Sequence, residues 1–416
     1  MLSLQQSVCS LRQQFPALAR RHNGEPVVFF DGPAGTQVPQ SVIDAIADYL
    51  SHRNANHGGL FATSRESDAM LDEAHRAVAD LLGADDPDCV YFGPNMTTLT
   101  FALSRALSKA WRPGDEVIVT RLDHDANVTP WVMAAEDAGA TVRYVDFKRE
   151  NCTLDIADFH DKLSNKTRLV AVGCASNSTG SVNPVRELCA AAREVGALSF
   201  LDAVHYAPHA SIDVAAFGCD FLACSAYKFF GPHIGIGWGR RDLLENLTPY
   251  KLRPATDEVP GKWMTGTQNH ECIAGVLAAI DYLADLGRDV ASNQSLDRRS
   301  ALQASYQAIG RYEQTLMAKL LAGLEANHEV KIWGITDPAR FGDRLPTVSF
   351  THKRFSAPEV ARLLDDAGIF VWHGNYYALQ ITETLGLEPD GMVRIGLVHY
   401  NTDEEVARLL HALNEL

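Results

Sequence analysis

The chain has no Cys-x-x-Cys pair, no apolar run near the about 20 residues a membrane helix needs, and no surplus of basic charge, and each lack removes a class of function. With 37 Lys and Arg against 52 Asp and Glu, the formal net charge is −15. That balance argues against a nucleic-acid surface and gives no attraction to anionic lipid, while a local basic pocket for a phosphate stays compatible with it. The eight cysteines, at 9, 89, 152, 174, 189, 219, 224 and 272, are scattered through apolar stretches. We read them as free thiols of a reducing compartment rather than disulfide partners or zinc ligands, and expect no metal. The opening residues, Met1 to Arg12, lack the charged start and long apolar centre of a secretory signal, so the expectation is a cytoplasmic protein. Repeats, low-complexity tracts and Pro-rich linkers are also missing. The glycines between Gly231 and Gly239 have neither the acidic follow-up of a dinucleotide fingerprint nor the Lys-Ser/Thr ending of a P-loop, and read as a turn and a tightly packed strand.

What is present is an ordinary globular composition: 416 residues, 46% hydrophobic and 21% charged. It predicts two domains, one spanning 25–275 and a smaller one made of 1–24 and 276–416. Strand-like and helix-like stretches alternate from about residue 70 to 240, the pattern of βαβ units. The fold class expected is α/β, a three-layer large domain with a mostly parallel sheet and a C-terminal α+β domain. Strands are predicted over 116–120, 141–145, 168–173 and 197–202. Helices are predicted over 68–82, stopping at Gly83, over 128–137, and along 294–326. The Thr402-Asp-Glu-Glu405 capping box announces a final helix.

Lys228 stands in Phe221-Leu-Ala-Cys-Ser-Ala-Tyr-Lys-Phe-Phe-Gly, among apolar and small residues that give an ammonium little reason to be there. A buried amine must pair, lose its proton or become covalently engaged, and a depressed pKa is what a Schiff-base lysine needs. A lysine snorkelling from a strand end would have the same sequence setting. Asp202 ends the preceding apolar strand, at the carboxyl edge where open α/β sheets place their ligands. A carboxylate there would keep the pyridine nitrogen of pyridoxal 5'-phosphate protonated, with the lysine on the other side of the ring. Asn95, Met96 and Thr97 open a helical pattern and offer amides to a phosphate, or form a plain N-cap. His124 and Asn177 each follow a strand, and Arg394 interrupts an apolar one, where its planar fork suits a carboxylate or an ion pair.

Together, Asp202-Ala-Val-His205, Ser225-Ala-Tyr-Lys228, Asp123-His124-Asp-Ala-Asn, Ser176-Asn177, Gly266-Thr267-Gln-Asn269 and Arg394 resemble the class V aminotransferase fold of pyridoxal-phosphate enzymes, most of all the cysteine desulfurase and selenocysteine lyase group. The resemblance covers nearly the whole chain in order, from Phe30-Asp31-Gly-Pro onward. It implies Lys228 as the Schiff-base residue and base, Asp202 at the ring nitrogen and His124 stacked on the ring. Asn177 and His205 would sit near the ring hydroxyl, His205 replacing a customary glutamine. Ser225 with Asn95, Met96 and Thr97 would hold the phosphate, Thr267 the phosphate of a neighbouring subunit in a homodimer with shared active sites, and Arg394 the carboxylate of a small amino-acid substrate.

Departures from that pattern matter as much. Desulfurases carry a mobile-loop cysteine, whereas the matching stretch here is Trp372-His-Gly-Asn-Tyr-Tyr377, and no cysteine occurs from 273 to 416. Tyr227 stands where histidine is usual, and Met264 where an acidic residue is common. A phenol cannot carry a persulfide, so the reading is a carbon–sulfur lyase or related β-eliminase. Transamination or epimerisation on the same fold, and a non-catalytic cofactor-binding sulfur-delivery partner, are the alternatives. Specificity is expected in loops such as 57–61, 257–264 and 375–387.

Overall fold

The runs at Glu116–Thr120, Thr167–Gly173 and Leu198–Asp202 are buried along almost their full length, which a sheet covered on both faces requires. The computed structural model describes residues 4–416, so the first three residues of the opening segment lie outside the described residues. Seven strands form the main sheet, in the spatial order Val90–Gly93, Gly235–Gly239, Phe221–Ser225, Leu198–Asp202, Thr167–Gly173, Glu116–Thr120 and Thr141–Val145. Pairing is parallel except for Gly235–Gly239, which runs against both of its neighbours. The glycines of that strand permit close packing. A Cβ on Gly235 would stand 2.3 Å from the backbone carbon of Asn95, and one on Gly237 would meet the Tyr91 ring at 2.3 Å. This is the tightly packed strand expected from the glycine run.

The strands at 116–120 and 141–145 form with the expected limits, and the helix Thr129–Ala138 is displaced by one residue, closed by Gly139 at φ 70°. Two helix starts differ from expectation. The helix ending at Leu82 begins at Ala62, not at residue 68. Two of its first residues are polar but inward-facing: Ser64 Oγ donates to Asn56 O at 2.7 Å, and Ser67 Oγ reaches Arg53 O and Ala55 O at 3.2 Å. Apolar periodicity cannot register a helix face buried through hydroxyls. The long helix likewise starts at Arg298 instead of 294, where Asp297 accepts the Ser300 amide at 2.8 Å. The final helix, Asp403–Asn414, has both halves of its capping box.

A second, antiparallel sheet orders Val330–Trp333, Thr347–His352, Met392–Gly396 and Trp372–Gly374. It is bonded to the turn following Thr167–Gly173, through Ser349 Oγ to Ser178 O at 2.5 Å, and this contact carries Arg394 toward the main sheet's edge. All eight cysteines are free thiols. Among the described residues, no helix is long and apolar enough to cross a membrane.

Candidate active site

Because the parallel strands point the same way, the turns after Thr120, Gly173, Asp202 and Ser225 meet at one edge of the sheet. There they surround a cleft with about 600 Å³ of empty space, its mouth included. Its walls carry Asn95, Met96, Thr97, His124, Asn177, Asp202, His205, Ser225 and Lys228, so nine of the residues singled out from sequence line a single cavity. Arg394 stands immediately behind them, its Nη1 donating to Asn177 O at 2.8 Å. Thr267 is not brought to this cleft; it lies exposed in the turn before the helix His270–Ala291.

The turn Ala226–Lys228 follows the strand Phe221–Ser225 and buries the lysine. Desolvation, reinforced by the Arg394 charge, lowers the amine to about 7 against the attraction of Asp202 and Asp31. Its Nζ donates to Pro33 O and to Ala34 O, the latter at 3.1 Å, and lies 4.6 Å from the centre of the Tyr227 ring, which itself stacks on His233. Asp202 sits on the adjacent strand end. Burial raises its carboxyl to about 6, opposed by the Val204 amide, 2.8 Å from Oδ1, and by the Lys228 charge.

His124 Nδ1 accepts the Ala126 amide at 3.0 Å, so the ring proton belongs on Nε2. Burial and the charges of Lys228 and Arg394 lower this imidazole to about 4, keeping it neutral. His205 is held well below its ordinary value by burial and by His209, Arg394 and Lys228, and its Nε2 lies 3.0 Å from Thr347 Oγ1. At the helix Met96–Leu107, Asn95 Oδ1 accepts the Thr98 amide at 2.9 Å and Ser225 Oγ accepts that of Met96 at 3.2 Å. Asn95 is therefore the N-cap that its sequence also allowed, and the first-turn Thr97 amide faces no such cap.

Sequence reasoning missed three contributors. Asp31 is raised to about 6 by burial and pulled down by Arg394 and Lys228. Asp123, raised to about 7 by burial and by Asp202, accepts the Gly173 amide at 2.9 Å and Asn127 Nδ2 at 2.9 Å beneath His124. Tyr376 packs its ring 4.1 Å from the Arg394 guanidinium. The first two belong to motifs already noticed, Phe30-Asp31 and Asp123-His124, but a single acidic residue in a turn carries no sign of burial.

The residues present fit pyridoxal 5'-phosphate. A desolvated amine and a strand-end carboxylate share the cleft, and three buried atoms, Asn177 Oδ1, Asp31 Oδ1 and Arg394 Nε, have no partner among the described residues. Such orphans are costly unless a polar ligand meets them.

Comparison with known proteins agrees with this geometry. The family model described as aminotransferase class-V matches residues 28–303 and 299–409. The chain is 31% identical over 421 residues to a cysteine desulfurase of Pectobacterium carotovorum, covering 98% of this chain and 97% of that protein. It is 32% identical to an aminotransferase-like protein of Gibberella zeae, covering 98% of each. Among solved structures, an apo cysteine desulfurase from Thermococcus onnurineus superposes with a TM-score of 0.87 at 26% identity, covering 98% of this chain and 97% of that one.

The lowered amine gives a direct test. In protein dialysed free of any bound small molecule, limiting formaldehyde and cyanoborohydride should label Lys228 with half-maximal rate near pH 7, because only the neutral amine reacts and the folded-state value is about 7. Exposed lysines should still be gaining reactivity well above that pH. Peptide mass mapping across pH checks this, and a Lys228 profile that rises in step with the exposed lysines would contradict it.

Proposed function

Because the chain belongs to the class V aminotransferase family, we propose that it is a pyridoxal-phosphate-dependent carbon–sulfur lyase related to cysteine desulfurases, eliminating the sulfur substituent from a β-substituted amino acid. The observation that carries this reading is a cleft in which Lys228 and Asp202 meet and no lining residue is a cysteine. When bound, the cofactor supplies an electron-withdrawing ring that accepts the pair released at the substrate's α-carbon.

Lys228 would hold it covalently, Asp202 would face its ring nitrogen and His124 its ring face. Asn177 and His205 would lie near the ring hydroxyl, with Ser225, Asn95, Met96 and Thr97 around the phosphate. A cationic N–H placed against Asp202 returns that carboxyl to its charged form, reversing the effect of burial. Arg394 keeps Nε free while Nη1 is anchored on Asn177, which leaves a donor for the substrate carboxylate. The substrate's amino group would displace Lys228 from the cofactor, and the freed Nζ, lowered by burial to about 7, would then be an effective base near neutral pH and take the α-proton. The carbon–sulfur bond then breaks with its electron pair on sulfur, which leaves as a thiol, and water completes conversion of the remainder to pyruvate and ammonia. Sulfur transfer to the protein would need a thiol at the cleft. Cys174 and Cys224, the cysteines nearest its walls in sequence, are buried with their pKa values pushed up by desolvation.

Thr267, exposed on its turn, would reach the phosphate of a second subunit. The exposed Leu60, Phe61, Tyr250 and Leu252 support a homodimer, which we place in the cytoplasm; light scattering on the holoprotein checks the dimer.

A panel of cysteine, cystine, cysteine conjugates and cysteine sulfoxides should release pyruvate and the matching thiol-type product, identified by mass. Lys228→Ala should lower that rate by about 10²–10⁴-fold or more. Absence of both products from every member of the panel would defeat the lyase assignment.

A further inference from the structure

Tyr376 and Tyr377 occupy left-handed backbone in succession, with φ of 58° and 59°. Among the described residues they are the only adjacent non-glycine pair to do so. L side chains hold this conformation only when their surroundings over-determine it, and such strain gathers where function requires a fixed position. The surroundings here include the rim of the cleft. The Asp125 amide donates to Tyr377 O at 2.7 Å, and Asn177 Nδ2 donates to Tyr376 O at 3.1 Å. From the other side, the Tyr377 amide donates to Asn375 Oδ1 at 3.1 Å, and the Tyr376 hydroxyl donates to Met392 O.

The two rings have different settings. Tyr376 is buried against Arg394, which is reason enough for its place. Tyr377 is 74% exposed, so burial does not explain why its backbone is held in this way. Its ring stacks on that of His124, with centroids 5.6 Å apart and planes 24° from parallel. It also lines a second groove, next to the cleft, together with Pro358, Trp372 and Pro389. Trp372 is half exposed there, and Asp390 adds a negative charge. Tyr377 thus links His124, a wall of the cleft, to a groove of aromatic and proline faces that His373 and Asn375 complete.

We propose that Tyr377 is a specificity-determining residue and that this groove receives the substituent on the substrate's sulfur, favouring S-aryl and S-alkyl cysteine conjugates over free cysteine. The inference rests on the reading of the cleft as an amino-acid site. Flat π faces and proline rings suit apolar and aromatic groups, and Asp390 disfavours an anionic one. The occupant is the substrate's own leaving group because two residues of the groove, Tyr377 and Tyr376, touch His124 and Arg394, the side chains assigned to the cofactor face and to the substrate carboxylate.

The test uses amino acids that bind but cannot lose an α-proton, 2-aminoisobutyrate and α-methyl-S-benzylcysteine, titrated calorimetrically into the holoprotein. The benzyl probe should bind at least about tenfold more tightly in the native protein. That ratio should persist in Tyr377→Phe, which keeps the ring, and fall toward one in Tyr377→Ala and in Trp372→Ala. Equal binding of the two probes to the native protein, or a preference that survives Tyr377→Ala, overturns the assignment. A preference that behaves as expected, in a protein that yields no pyruvate from any S-substituted cysteine, defeats the lyase reading and upholds the role of Tyr377.

Discussion

The structure depends on keeping one amine out of water. Lys228 is nearly fully buried at the carboxyl edge of a sheet, close enough to Arg394 for like charge to add to desolvation, with Asp202 and Asp31 opposing both. Loss of solvent displaces each of these groups from its ordinary value, the amine and the guanidinium downward and the two carboxyls upward, and the opposite charges nearby offset only part of each shift. A protein that needed only stability would do better with apolar residues of similar volume. Retaining four ionisable groups in one desolvated space makes sense when a ligand arrives to complete their pairing, and pyridoxal phosphate with an amino acid would engage three of them, Lys228 covalently, Asp202 at a ring N–H and Arg394 at a carboxylate.

The sheet produces this arrangement through topology. Asp202 and the turn holding Lys228 come from neighbouring parallel strands, in register from Phe200 opposite Phe221 to Asp202 opposite Ala223. The antiparallel strand Gly235–Gly239 then brings Gly93 and Asn95 beside Ser225, and the missing Cβ of Gly235 lets the helix-opening turn sit against it. Arg394 comes from the other sheet, joined to the turn containing Asn177. The cleft is therefore assembled from several sequence-distant segments, and the contact between the two sheets sets where Arg394 stands relative to Asp202 and Lys228.

Much of this was legible in the sequence. Apolar runs ending on Thr120, Gly173 and Asp202 mark the strands, and Asp202 itself, with His124 and Asn177 past the other two ends, marks the candidate site. Legibility failed where burial runs through polar atoms. The helix from Ala62 was shortened because Ser64 and Ser67 face inward through hydroxyl bonds, and Asp31 and Asp123 were passed over because a lone carboxylate in a turn looks the same buried or exposed. In the sequence the Tyr376–Tyr377 corner stands out only for the cysteine it lacks. Its left-handed backbone and its contacts with His124 and Arg394 depend on where segment 374–378 meets two other strands' turns, and no local pattern encodes that meeting.

The central claim is that Lys228 holds the cofactor, and it can be tested on the protein as purified from cells supplied with pyridoxine. Borohydride reduction followed by peptide mapping should find a single pyridoxyl-phosphate adduct, on the peptide containing Lys228. An adduct on a different lysine, or none in a protein shown to be folded, would contradict the account.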